Sequence, residues 1–224
     1  MKNSIILAPW FATFFSLSVS AFQEDKVQEF INLLETEAKA GNPVAKFNLD
    51  NAYMDGIAGV KKDLTKGFNY LIESAKQGYP QAQYNVAVSY KTGEGTPQNA
   101  ELSLYWYLQT AKNGHAPSQL QASLILDEKG DHKKAYELLK LASMKGEVDA
   151  QYMLAHMYYA GTAEPQDYQL GYIWFSISAA NGDTDAPKAR DLIAKKLDAQ
   201  SLAKAESEAA QIFDMIRQNT AEQP

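Results

Sequence analysis

The chain has 224 residues, of which 46% are hydrophobic and 21% charged, enough apolar material for one or two packed cores and far from the composition of a disordered chain. Its formal charge is −6 and no dense Lys/Arg run occurs, which excludes the phosphate-neutralising surface that a nucleic-acid partner requires. There is no cysteine, so the fold stands without disulfides in any compartment, and a lipid anchor attached to a cleavage-site cysteine is excluded.

Residues 1–21 place Lys2 before an apolar stretch from Ile5 to Leu17 and end in small residues, with Val19 and Ala21 at the minus-three and minus-one positions before Phe22. This predicts a signal peptide cleaved after Ala21, a periplasmic or secreted mature protein, and no stable membrane insertion after cleavage. Loss of Lys2 with the leader takes the charge from −6 to −7. Residues 22–42 then predict an N-terminal capping helix with acidic, solvated faces.

A repeat follows. The glycines closing each A-x-x-G-like turn are Gly41, Gly78, Gly114, Gly146 and Gly182, spaced by 37, 36, 32 and 36 residues. Four residues after each comes Ala45, Ala82, Ser118, Ala150 or Ala186; eight before the last four come Tyr70, Trp106, Leu138 and Trp174. Each unit reads as two helices. Ala82, Val86, Ala87 and Tyr90, matched by Ala150, Leu154, Ala155 and Tyr158, share one face of the first. Gly56, Gly93 and Gly161 end that helix. The second starts at Asp63, Asn99, Asp131 or Asp167, whose short oxygens can accept from the first turn's amides. Small residues let helix axes approach, and the aromatics fill the groove of the next unit. A single hairpin cannot bury both faces, so units stack.

The segments "AQYNVAVSYKTGEGTPQNAELSLYWYLQTAKNGH" and "AQYMLAHMYYAGTAEPQDYQLGYIWFSISAANGD" resemble Sel1-like repeats, the longer-looped relatives of tetratricopeptide repeats. The resemblance covers residues 43–186, as units of about 43–78, 79–114, 115–146 and 147–182. It implies an all-α fold: a right-handed superhelical α-solenoid of stacked antiparallel helix pairs with helical caps. Two departures stand out. The third unit has five residues from Leu126 to Asp131 where the second has nine from Tyr90 to Asn99, and Asp50 occupies a position where the pattern has a small residue, which predicts a looser joint or a polar partner. Residues 185–216 predict two C-terminal capping helices broken near Asp198, and 217–224 a disordered tail.

Convergent chemistry is sparse. His115, His132 and His156 fall on different elements with no metal-ligand spacing, so no metal or other cofactor is expected. Ser201 and Lys204 form an SxxK, and Lys91 to Gly93 a KTG, but in the reverse of the order used by penicillin-binding enzymes and without a strand beneath the KTG. Residues of the first helices that point away from the packing face form a candidate groove instead: Phe47, Asn51 and Met54; Tyr84, Val88 and Lys91; Leu120, Leu124 and Asp127; Tyr152, His156 and Tyr159. An apolar and aromatic stripe with a few polar markers fits a protein or peptide partner. The expectation is a non-enzymatic adaptor of the cell envelope that binds on this concave face. Two alternatives stay open: a secreted hydrolase binding β-lactams or cell-wall fragments, as the resemblance to cysteine-rich Sel1-like proteins implies, and a purely structural spacer.

Overall fold

The computed structural model describes residues 21–57 and 60–221, so the expected leader lies outside the described residues except for Ala21, its last residue. The described residues form eleven helices: α1 (Ala21–Lys39), α2 (Pro43–Asp55), α3 (Leu64–Lys76), α4 (Pro80–Thr92), α5 (Ala100–Lys112), α6 (Ala116–Glu128), α7 (His132–Met144), α8 (Val148–Ala160), α9 (Tyr168–Ala180), α10 (Ala186–Ala194) and α11 (Ala199–Ala221). The expected all-α class of antiparallel helix pairs is the class found. From α2 to α9 every helix has 13 residues, about 20 Å of rod, so successive helices can pack along their whole length.

The helix limits follow from backbone chemistry. Asp63, Asn99, Asp131 and Asp167 accept from Lys66, Leu102, Lys134 and Leu170 amides at 2.9, 2.9, 3.3 and 2.9 Å, satisfying donors that the first turn leaves unpaired. Gly56, Gly93 and Gly161 end α2, α4 and α8 with φ of 67, 81 and 69°, a conformation that a Cβ disfavours. One further bond closes every hairpin. The amides of Asp63, Asn99, Asp131 and Asp167 donate to the carbonyls of Tyr53, Tyr90, Leu126 and Tyr158 at 2.8–2.9 Å, whatever the loop length between them. The shortened third loop therefore keeps the same closure as the long ones.

The chain divides into two compact units, the first ending at Trp106 and the second beginning at Tyr107, inside α5. In the first, α1 packs on α2, α2 on α3 and α3 on α4. Ile31, Leu34 and Ala38 of α1 bury Ala45, Leu49, Ala52 and Tyr53 of α2. In the second, α6, α7, α8 and α9 pack in succession, and both α10 and α11 lie on α9. Ala82, Val86, Ala87, Ala150, Leu154 and Ala155 are fully inaccessible, as the small and large columns require. Each buried Leu or Val contributes about 1.5–3 kcal/mol.

Polar bonds repeat with the columns. Gln83, Gln119 and Gln151 each donate to the carbonyl eight residues earlier, on Ala75, Ala111 and Ser143, at 3.3, 3.2 and 3.0 Å. Ser74 and Ser178 donate from α3 and α9 to the carbonyls of Pro43 and Val148, at the starts of α2 and α8.

Three features differ from expectation or sharpen it. Asp50 is buried against α3 at Gly67, where an added Cβ would stand 3.2 Å from its Oδ1, and that oxygen has no hydrogen-bond partner among the described residues. The close joint is kept by a glycine opposite, and Oδ1 gains no polar partner among the described residues. The long C-terminal helix runs through Arg217 to Ala221, five residues into the stretch expected to be disordered; Gly146 lies beneath its Ile216 and Thr220. That helix also folds back onto α9, with Tyr172 donating to Glu206 and Gln169 to Glu208.

Candidate partner-binding face

The predicted stripe separates by burial. In α2, Phe47, Asn51 and Met54 are 2%, 3% and 5% exposed and offer no surface. Phe47 meets the Tyr79 ring edge-on at 5.3 Å, and Met54 reaches Gly67. This corrects the expectation for that helix: packing on more than one flank leaves α2 no outward stripe. Leu120 of α6 is likewise buried. Leu124 is half-buried, and Asp127 is taken up by His132, its Oδ1 lying 2.7 Å from Nδ1. On α4, Tyr84 and Val88 are half-buried and Lys91 is exposed.

The stripe is best developed on α8. Tyr152 is half-buried, His156 exposed and Tyr159 42% exposed, and their spacing of four and three residues sets them on one helix face. Asp149, exposed, begins the same face one turn earlier. Beneath lies Phe175 of α9, 1% exposed. The Tyr152–His156, Tyr152–Phe175 and His156–Phe175 ring centroids are 4.8, 5.3 and 5.1 Å apart, all edge-to-face. Tyr159 continues the aromatic surface to Tyr168 at 5.9 Å.

Two carboxylates of the turn between α9 and α10 act on one of these rings. Burial, then Asp185 and Asp183, push the Tyr152 hydroxyl above the ordinary tyrosine range. Asp183 is committed to the start of α10, accepting from the Asp185 and Ala186 amides at 2.8 Å, while Asp185 is exposed. Burial holds the His156 imidazole below the ordinary histidine range, which leaves the ring neutral at neutral pH.

Phe175 was missed by sequence reasoning although its column was visible. Seven residues before the closing glycines stand Leu71, Tyr107, Leu139 and Phe175, each at most 2% exposed. The neighbouring column of Tyr70, Trp106, Leu138 and Trp174, which carries the more conspicuous aromatics, is less uniformly buried.

Reactive-looking pairs resolve into packing or capping. Ser118 Oγ lies 2.8 Å from His115 Nδ1, but Ser118 is fully inaccessible and also accepts from Thr110 Oγ1 at 2.5 Å. Burial, then Lys145, keeps His115 below its ordinary range. Ser201 lies in the first turn of α11, its amide donating to the capping Asp198 at 2.7 Å, and Lys204 reaches toward Glu208 at 3.6 Å. The Lys91–Gly93 segment is the end of α4. Among the described residues no group of three or more His, Asp or Glu side chains is placed to hold a metal ion, and no helix is long and apolar enough to cross a membrane.

Comparison with known proteins gives these features a frame. The family model for the Sel1 repeat matches residues 44–79, 80–115, 126–147 and 148–183, the third match short in the unit with the short loop. An uncharacterised protein of Neisseria meningitidis is 31% identical over 157 residues, 70% of this chain and 32% of that protein. The rat protein DAP3-binding cell death enhancer 1 is 33% identical over 131 residues, 55% of this chain and 25% of that one. The yeast chitin synthase regulator SKT5 is 30% identical over 54% of this chain and 18% of its own length. The chain thus spans a third or less of each of these relatives. Among solved structures, a Sel1 repeat protein of Oxalobacter formigenes superposes with a TM-score of 0.62 at 25% identity, covering 83% of this chain and 79% of that one. A protective antigen of uropathogenic Escherichia coli with an SLR fold gives 0.51 at 23% identity, over 89% and 53%.

Proposed function

Because the chain belongs to the Sel1 repeat family, we propose that it is a non-enzymatic interaction scaffold of the bacterial cell envelope, exported with cleavage after Ala21, that holds a protein or peptide partner on the outward face of α8. Sel1 repeat proteins are generally interaction scaffolds, and the names of the rat and yeast relatives describe a binder of another protein and a regulator of an enzyme. The observation that carries the reading is the α8 face, where Tyr152, His156 and Tyr159 stay accessible although Phe175 and the rest of the repeat core lie beneath. Aromatic surface of this kind is enriched where proteins meet. Against a hydrolase stand the capped Ser201 and the helix-end position of Lys91–Gly93.

A photo-crosslinking residue in place of Tyr159, with one in place of the exposed Leu141 of α7 as control, tests the face. A discrete partner adduct in the producing cells from position 159 and none from 141 is the expected result. Adducts from 141 alone, or from neither, remove the reading. Mass analysis of the exported chain tests the leader: a first residue other than Phe22 contradicts it.

A further inference from the structure

The charge of the chain is unevenly shared among its repeats. Residues 44–79 hold five Lys and four acids, 80–115 two Lys and two acids, and 116–147 five Lys and five acids. Residues 148–183 hold Asp149, Glu164, Asp167 and Asp183 with no Lys or Arg, and the basic-free stretch extends from Gly146 to Pro187. The first helix of the last repeat also carries the accessible rings of His156 and Tyr159. A ring face carries partial negative charge, and carboxylates beside it add full ones.

Resting on the scaffold reading, we propose that the α8 face of the last repeat recognises an extended segment of its partner protein that carries Arg or Lys, one cationic side chain seating on the Tyr152 and His156 rings against the carboxylates of Asp185 and Asp149. The acids and rings converge on this face from two places, α8 itself and the turn between α9 and α10. After burial, the charges that raise the Tyr152 hydroxyl are the carboxylates of Asp185 and Asp183. His156 meets a cation as a neutral ring. Phe175, packed edge-on to both rings, holds them in place. A guanidinium suits such a seat better than an ammonium because it stacks flat on a ring while its edge donates to a carboxylate.

A helix of 13 residues is about 20 Å long, which an extended peptide covers with about six residues. The test is therefore the anisotropy of labelled hexapeptides of alternating Arg and Ser, Lys and Ser, and Glu and Ser, titrated with the full chain at low ionic strength. The Arg peptide is expected to bind most tightly, the Lys peptide more weakly and the Glu peptide not at all. Tyr152→Ala and Asp185→Asn should each weaken the Arg peptide by about two- to fivefold at unchanged melting temperature. Asp214→Asn, removing an exposed acid of α11, should leave it unchanged. Equal loss from Asp214→Asn and Asp185→Asn would reduce the effect to bulk charge and overturn the proposal, as would absence of Arg-peptide binding. If position 159 still crosslinks a partner while the Arg peptide fails, only the cation preference falls; if both fail, the scaffold reading falls with it.

Discussion

The phenol oxygens of Tyr136 on α7 and Tyr158 on α8 lie 2.8 Å apart, their rings edge-to-face at 5.7 Å, and both residues are less than 9% exposed. Each hydroxyl is the other's partner, so removing one strands the other. Tyr136→Phe and Tyr158→Phe should each cost about 1–2 kcal/mol in urea unfolding, and the double variant less than their sum by about 1 kcal/mol. Additive losses would show that the pair is not coupled. The Tyr158 hydroxyl is held above the ordinary tyrosine range, by burial first and then by Tyr136, so its absorbance should not titrate below the pH of global unfolding.

Asp50 sets a pH dependence. Burial, then the charges of Asp55 and Glu94, raises its carboxyl from 3.8 to about 7. A carboxyl whose folded value is raised binds its proton more tightly when folded, so it costs nothing below the unfolded value near 3.8 and destabilises increasingly as pH rises from there toward 7. The full cost above that range is about 4 kcal/mol at most. Asp50→Asn should therefore raise the melting temperature more at pH 8 than at pH 5. An equal rise at both pH values would show that folding does not raise the Asp50 carboxyl above its unfolded value.

Two helical glycines meet different neighbours and should respond differently to alanine. A Cβ on Gly67 would meet the Asp50 carbonyl oxygen and Met54 Cγ at 3.1 Å; one on Gly171 would meet Ile193 Cδ1 at 3.2 Å, the end of a side chain that can turn. Gly171→Ala should be neutral or stabilise by up to about 1 kcal/mol through helix propensity. Gly67→Ala should destabilise by about 1–2 kcal/mol, since backbone does not yield. Chemical denaturation of the two variants, read side by side, checks the ordering.

The repeated glutamine gives a fourth stability test. Gln151 donates to the Ser143 carbonyl and accepts from Asn181 Nδ2 at 2.9 Å, whereas Gln119 keeps the first bond but its Oε1 has no partner among the described residues. Gln151→Ala should cost about 1–3 kcal/mol more than Gln119→Ala does, measured by the same unfolding assay.

Most of the architecture was legible because it rests on local rules repeated at a fixed interval. Asp63, Asn99, Asp131 and Asp167 cap helices, and Gly56, Gly93 and Gly161 end them, whatever surrounds them. The face was less legible because exposure depends on neighbours. Phe47 and Tyr152 hold the same column, yet one is sealed beside Tyr79 and the other is half open above Phe175. Asp183 and Asp185 come to Tyr152 from the far end of α9, a proximity that helix spacing within α8 does not encode. The helical continuation past Arg217 escaped because its support is tertiary: Gly146, at least 70 residues earlier, supplies the floor for Ile216 and Thr220.

The single amide-to-carbonyl bond that shuts every hairpin makes the intervening loop thermodynamically peripheral. Between Tyr90 and Asn99, or Tyr158 and Asp167, the chain is fastened at both ends before it strays, so lengthening the excursion adds only a slowly growing closure entropy. Between Tyr158 and Asp167 evolution, or an engineer grafting an epitope or a second recognition element, can insert foreign sequence while the helices on either side keep their register; in the other loop Gly95 is held against the Leu64 carbonyl.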